Sequence, residues 1–347
     1  MALVKAAFAN AIRPAQFHRT SGSIGYIIPF SKRGLSVCSE SGSHGSGRVK
    51  KKIGSPDSFP QRLSPFSVCD IIETEWCEKQ KEFKLLFGEH EITKAMKAGK
   101  ARHAELEEEV MPRAKVGVKS AEELWARTFM KSIYGVNQLS HYGLTRELPI
   151  ICRAEESIWI VGKVDEIRMP LSSSNGFVTL VETKTREKAT LPGEAQIRKG
   201  RFQLMLYKHM WDMLVAGNFS PQEFIDNFSL NPNHKLSPKV IEHAAKSGFP
   251  LQTLNDLVTY FGNSCCLQPQ ADNQLLLRYE LQEDQSLLGE EKFWYDADWV
   301  KAQIKSCLEV LVGEREARYA PQDERWKCKC CRFATICPAN SGMQNKE

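Results

Sequence analysis

The stretch Leu180–Tyr207, LVETKTREKATLPGEAQIRKGRFQLMLY, carries two periodicities in sequence. Its first part alternates like a strand that begins near Gly176. Val178, Leu180, Glu182 and Lys184 fall on one face, and Phe177, Thr179, Val181 and Thr183 on the other. Its second part has helical spacing, and Gln203 and Tyr207 stand four residues apart, so they point the same way. A carboxylate and an ammonium thus share a strand face, and an amide and a phenol from the next helix face them. Polar groups turned toward a sheet are costly unless they are bonded or functional.

Working outward, ELPIICRAE and SIWIVGKVDEIRMP read as a hairpin turning around Glu155–Glu156. If its second strand neighbours the Glu182 strand, Asp165 converges on Glu182. Two such carboxylates repel unless a cation lies between them. An all-oxygen set of this kind suits Mg²⁺ or Mn²⁺, with the Thr183 carbonyl as a third oxygen. Lys184 then reaches attacking water or a scissile phosphate, where its charge stabilises the transition state. Glu-x-Lys alone occurs widely by chance; its company makes it informative. His103 belongs to that company. It sits in the stripe Ile92, Met96, Gly99, His103, Leu106 and Val110 of an expected helix over residues 91–112, as a candidate nitrogen ligand to the metal. The chemistry expected is phosphodiester hydrolysis. Neither a GxGxxG fingerprint nor a P-loop is present to suggest a nucleotide-driven machine.

The order Gly99…His103, GKVDE with Asp165, VETKT with Glu182 and Lys184, and Gln203-x3-Tyr207 resembles the RecB-like branch of the PD-(D/E)XK nucleases. That resemblance implies a restriction-endonuclease-like α/β core, a mixed sheet flanked by helices with helical additions. It implies Asp165, Glu182 and Lys184 as catalytic residues and His103, Asp165, Glu182 and Thr183 as metal ligands. Gln203 and Tyr207 become nucleic-acid contacts. Arg186, Arg198, Lys199 and Arg201 lie near them in sequence as candidate backbone contacts, although any of them can equally be a solvated helix face.

The chain has eleven cysteines, four of them crowded near the C-terminus. Cys328, Cys331 and Cys337 form C-x2-C-x5-C, and Cys77 stands far upstream. Four such thiolates suit either [4Fe–4S] or Zn²⁺. WCEKQ at the front and WKCKCCRFATICP at the back are similar to the exonuclease V family. In that family an iron–sulfur cluster staples the helix before the nuclease core to the tail after it. Carried over, the resemblance makes Cys77, Cys328, Cys331 and Cys337 the [4Fe–4S] ligands over residues 64–340. Cys330, an extra thiol inside the motif, competes with Cys328. Cys69, Cys152, Cys265, Cys266 and Cys307 read as core or free thiols.

Composition frames the rest. The 347 residues, 42% of them hydrophobic, are enough for a real core, and no apolar run reaches the ~18 residues of a membrane span. A net charge of +5 permits a polyanionic partner. The first sixty residues lack any acid before Glu40 and are rich in Ala, Ser, Gly and scattered Arg. That is transit-peptide composition, followed by a linker, and it suggests an organelle-targeted plant member in chloroplast or mitochondrion; an untargeted tail, with nuclear or cytoplasmic location, is the alternative. The nuclease domain is expected over 61–347. Further expectations are one helix from an N-cap at Ser67 through Gly88, a third helix over 120–136, a turn at SSSNG, a long helix closed by Gly217, helical pieces over 220–268, a strand at NQLLLRYELQ and a last helix over 296–316.

The function expected is a metal-dependent exonuclease that degrades single-stranded DNA from a free end in genome maintenance. It would act as a monomer, off the membrane, with a single-strand-binding protein as a further partner. The rivals are a flap-type endonuclease on the same fold, a non-catalytic nucleic-acid-binding module, and an iron–sulfur protein with no nucleic-acid role.

Overall fold

A computed structural model describes residues 64–88, 92–110, 120–155, 158–170, 176–246 and 251–340. The expected transit segment, the stop at Pro112 and the SSSNG turn lie outside the described residues, as does Glu156 of the hairpin turn.

The described chain runs β1 (Phe66–Ser67), α1 (Val68–Trp76), α2 (Glu78–Phe87), α3 (Lys94–Val110), α4 (Ala121–Tyr142), β2 (Leu144–Glu155), β3 (Ile158–Arg168), β4 (Thr179–Arg186) and α5 (Glu194–Val215). Then come α6 (Pro221–Asn227), α7 (Pro238–Lys246), α8 (Leu254–Cys265), β5 (Gln274–Leu281), β6 (Leu287–Trp294) and α9 (Ala297–Val312), with a 3₁₀ turn at Gln322–Cys330 in the tail. The six strands make one mixed sheet. The hairpin, the Glu182 strand, the long α5 helix and the NQLLLRYELQ strand stand where the sequence places them. β6 and the two-residue β1 carry too little pattern to be read in advance, because β6 alternates between exposed and half-buried positions.

Strand β3 organises the site. β2 pairs antiparallel along its whole length, from Ile158 to Arg168. Its other edge is shared. β1 runs parallel beside Ile160 and Val161, and β4 runs antiparallel beside Glu166–Arg168. Residues 162–165 on that edge have no strand partner in these ladders, so β4 parts from β3 where Asp165 and Glu182 stand. On its far side β4 pairs parallel with β5 from Val181 to Arg186, and β6 closes that edge. Gly162 lies in the gap. A Cβ there would come within 2.6 Å of the Tyr207 ring and 2.7 Å of Val68, so no larger residue fits.

Helix α5 covers the sheet with a buried face that includes Phe202, Leu206, Met210 and Trp211. A second apolar layer joins α4 and α8 with the loop and helix around α6. There Trp125, Phe129, Trp159, Phe219, Phe224 and Phe261 stack edge-on and tilted at centroid distances of 4.9–6.1 Å.

Two expectations need correction. The helix expected from Ser67 through Gly88 breaks at Cys77, whose backbone is extended. The Ser67 cap itself is present as a capping box with Asp70. The break lets the tail hydrogen-bond there, with the Lys79 amide donating to the Arg318 carbonyl at 3.1 Å. The third helix continues six residues past Val136 to Tyr142, where Gly143 ends it at φ +73°. The stripe on α3 is not a core face. No residue of α3 is fully buried, and Met96 is 49% exposed. Polar bonds hold this helix instead. Arg102 reaches Glu280 at 3.1 Å, Lys131 reaches Glu107 at 2.5 Å, Arg146 reaches Glu109, and Gln282 donates to the Ala95 carbonyl at 3.0 Å.

Candidate active site and cysteine cluster

Helix α3 packs on β2 and β4, and Gly99 is what brings it close. A Cβ at Gly99 would stand 3.0 Å from the Thr185 hydroxyl. One turn later His103 points into the gap. Its Nδ1 lies 2.7 Å from Glu147 Oε1 and 3.5 Å from Asp165 Oδ1. Ligand atoms of His103, Glu147 and Asp165 all fall within 4.8 Å of one another. Asp165 is fixed by the parted strands, because the Thr183 amide, free of β3, donates to its Oδ2 at 2.9 Å. Glu182 faces the same gap. Its Oε1 accepts from Lys184 Nζ at 2.6 Å, whereas its buried Oε2 has no hydrogen-bond partner. Lys184 also donates to Gln203 Oε1 at 2.7 Å, and Gln203 lies 3.4 Å from the Tyr207 hydroxyl.

The structure therefore gathers His103, Asp165, Glu182, Thr183, Lys184, Gln203 and Tyr207 at one place. Gln203 and Tyr207 are buried, and Gln203 spends its carbonyl on Lys184. The four basic candidates separate. Arg198 is bound by Glu75 at 2.5 Å and Glu324 at 2.6 Å. Arg201 is bound by Glu194 at 2.9 Å and also pairs with Glu291. Arg186 donates to the Thr190 carbonyl and the Gln196 amide. Among the described residues Lys199 has no such partner.

Glu147 was not among the sequence-derived candidates. It is buried, bonded to His103, and paired with Lys163. Its φ of +51° is a backbone position that L residues seldom take, and such strain gathers at functional sites. The register explains why it escaped notice. Arg146 pairs with Glu166 and Leu148 with Val164, which sets Glu147 opposite Asp165. A turn centred on Glu155–Glu156 would instead put Arg146 opposite Asp165. An irregularity between Arg153 and Glu155 shifts the pairing by one residue, and that exchanges the faces.

The electrostatics match a missing positive charge. Burial, then the Glu182 carboxylate, drives the Asp165 pKa well above the ordinary carboxylate range. Burial works against the charge of His103, but Asp165 and Glu147 outweigh it and raise its pKa to about 9. Burial likewise opposes the Lys184 ammonium, and Glu182 with Asp165 overcomes it and raises the pKa. Burial opposes the charge of Glu147, but His103 and Lys163 outweigh it and lower its pKa. Three acids, an imidazole and an orphaned carboxylate oxygen are a donor set that fits a hard divalent cation.

The second site joins the two ends of the described fold. Cys77 sits at the break between α1 and α2. Burial raises its thiol pKa, while backbone amides of Gln80, Ala320 and Lys79 directed at the sulfur favour the thiolate. Gln80 Nε2 lies 3.3 Å from Cys331 Sγ. The Cys328 thiol is raised by burial and then by Cys77, Cys337 and Cys331. These four sulfurs thus feel one another, and Cys330 is exposed. Among the described residues no three of the cysteine sulfurs lie within 4.8 Å of each other. Four thiols with amide donors directed at one of them are a donor set that fits a thiolate-bound metal centre, zinc or iron–sulfur.

Other contacts support the junction. Glu78 binds Arg315 and Arg318, each at 2.9 Å. Lys327 donates to the Trp76 carbonyl at 3.2 Å and lies over the Trp76 ring, which meets Trp326 edge-on at 5.7 Å. Phe83 packs on Phe333 at 5.5 Å.

A sheet that parts over clustered acids, an Glu-x-Lys strand and a covering helix define a nuclease-like site. The profile of the exonuclease V family, described as a 5′ deoxyribonuclease, matches residues 58–175, 168–256 and 248–338. The chain belongs to the exonuclease V family, and with it to the nucleases, hydrolases acting on DNA. It is 27% identical over 283 residues to Exonuclease V of Danio rerio, covering 80% of this chain and 70% of that protein. Among solved structures, the crystal structure of SSO0001 aligns with 80% of this chain and 86% of its own, at 13% identity and a TM-score of 0.33.

Proposed function

We propose that the protein is a Mg²⁺- or Mn²⁺-dependent exonuclease that acts on single-stranded DNA from a free 5′ end, and that a [4Fe–4S] cluster on Cys77, Cys328, Cys331 and Cys337 ties its tail to α1 and α2. The observation that carries the reading is the gathering of His103, Glu147, Asp165 and Glu182, with the orphaned Glu182 Oε2, beside a fixed ammonium. The 5′ direction comes from the family description. His103, Asp165, Glu182, the Thr183 carbonyl and Glu147 would hold the divalent ion. When bound, that ion supplies Lewis-acid activation of water and charge neutralisation.

The protein's own groups do the rest. Lys184, held by Glu182 and Gln203, keeps its proton and offers it to charge developing on the scissile phosphate. Gln203 and Tyr207 hold Lys184 in place from α5. His103 is oriented by Glu147. The hairpin and β4 present these groups on strands rather than loops, so little reorganisation accompanies reaction.

The test is cleavage of matched linear and circular single-stranded DNA, labelled at the 5′ end, with and without Mg²⁺, beside iron analysis and an absorbance spectrum of anaerobically purified protein. The reading expects Mg²⁺-dependent release of short products from the linear strand, an intact circle, and about four iron atoms per chain. Cleavage of the circle would establish the flap-type endonuclease reading instead, and metal-independent cleavage would remove the site assignment.

A further inference from the structure

Helix α5 carries Lys199, Gln203 and Tyr207 at successive four-residue steps, so all three lie along one face. Each step advances about 6 Å along the helix. Gln203 is bonded by Lys184, and Tyr207 by Gln203. Among the described residues Lys199 has no hydrogen-bond or ion-pair partner. Its neighbours Arg198 and Arg201 turn away and are each neutralised by two acids. The acid whose charge reaches Lys199, Glu73, is committed elsewhere, to Lys81 at 3.0 Å and Lys84 at 2.5 Å.

Lys199 nevertheless sits at the reacting end of the site. Lys199, Lys184 and the Cys69 thiol are close enough to shift one another's ionisation. Burial lowers the Lys199 pKa, and the Lys184 ammonium acts in the same direction against Glu73. Two ammonium groups held near each other, one without an acid, form an anion site. Lys199 is half-buried, and Cys69, the second residue of α1, is exposed.

We propose that Lys199 receives a backbone phosphate of the substrate strand, next to the one that Lys184 serves, and that Arg198 and Arg201 are structural. The proposal rests on the nuclease reading above and names the residue that sets the strand's register on the site. The ligand is a phosphodiester oxygen. A lysine suits it as a compact, unpaired point charge on a flexible stem.

The experiment is fluorescence anisotropy of a 5′-phosphorylated oligothymidylate with the full-length protein, without added divalent cation, over a range of KCl concentrations. One lost phosphate contact on a single strand reduces the slope of log K against log salt by about 0.7, which is about 5-fold in affinity across a decade of salt. Lys199→Met is expected to show that loss of slope, and Lys199→Arg to restore it. Arg201→Gln, removing an already neutralised cation, is expected to keep the wild-type slope. A Lys199→Met protein with wild-type slope overturns the assignment. So does weakened binding at unchanged slope, which marks a packing role. A slope loss in Arg201→Gln equal to that of Lys199→Met also overturns it. Wild-type protein without salt-dependent strand binding overturns the nuclease reading, and this assignment with it.

Discussion

Glu147 shows how much a single side chain can matter at this site. It contributes a buried carboxylate, orients His103, and takes a strained backbone to do so. Glu147→Gln keeps the shape but removes the charge. It is expected to raise the Mg²⁺ concentration needed for half-maximal cleavage and to lower activity by roughly 10–100-fold, the usual cost of losing a partner of a metal ligand. A Mg²⁺ titration of cleavage checks this; an unchanged requirement would exclude Glu147 from the site. Lys184→Ala is expected to act differently. The carboxylates and His103 remain, so the Mg²⁺ requirement should stay near wild type while turnover falls by about 10²–10³, as for other preorganised charge stabilisers. A parallel loss of metal affinity would instead make Lys184 a support for Glu182.

The elements position these groups through close approaches that only small residues permit. The gap between β1 and β4 on the edge of β3 is filled by Tyr207 and Val68, which converge on Gly162. Gly162→Ala forces the added carbon against both. The expected result is a loss of about 1–3 kcal/mol of stability, typical of overpacking, together with displacement of Tyr207 and slower cleavage. Thermal melting and turnover measured on the same preparation check it, and a variant with unchanged melting and activity would show that α5 can simply move away. Helix α3 illustrates the opposite case. It carries an apolar stripe in sequence, yet ion pairs hold it over β2 and β4. A stripe of mixed Ile, Met, Gly and His does not distinguish a core-facing helix from one that borders a site.

At the scale of the molecule, contacts such as Glu78 with Arg315 and Arg318 join front and tail. If the proposed [4Fe–4S] cluster is held by Cys77 and the C-terminal trio, Cys77→Ala is expected to bleach it, because three thiolates hold it poorly, and to leave the tail protease-sensitive. Cys330→Ala is the control that keeps the colour. Retained iron in Cys77→Ala would mean that no such long-range link exists. Glu78 adds a pH dependence at the same junction. Burial opposes its charge, but Arg315 and Arg318 outweigh that and hold its pKa at about 2. A carboxylate depressed in the folded state stabilises above its unfolded pKa near 4.5, and the contribution disappears as pH falls from there toward 2. Glu78→Gln is therefore expected to melt earlier at pH 7, by about 1.5–3 kcal/mol for hydrogen bonds to a charged group, with the gap to wild type closing below pH 4. Melting curves of both proteins across that window check it.

The hairpin, the Glu182 strand and the long α5 helix were legible in the sequence because alternation and four-residue spacing are local. Asp165, Glu182, Lys184 and His103 stand out in sequence by residue type, and the structure brings them together. Glu147 was not legible, since its place opposite Asp165 depends on one irregular pair far along the hairpin. The break at Cys77 was hidden too, because the Lys79 amide beside it bonds the Arg318 carbonyl of the distant tail. Which arginines are neutralised depends in part on acids distant along the chain, such as Glu75 and Glu324, 123 and 126 residues from Arg198. Sequence determined the chemistry by supplying residue types at local spacing. Tertiary structure decided register, burial and charge pairing, because each depends on contacts between segments that are distant along the chain.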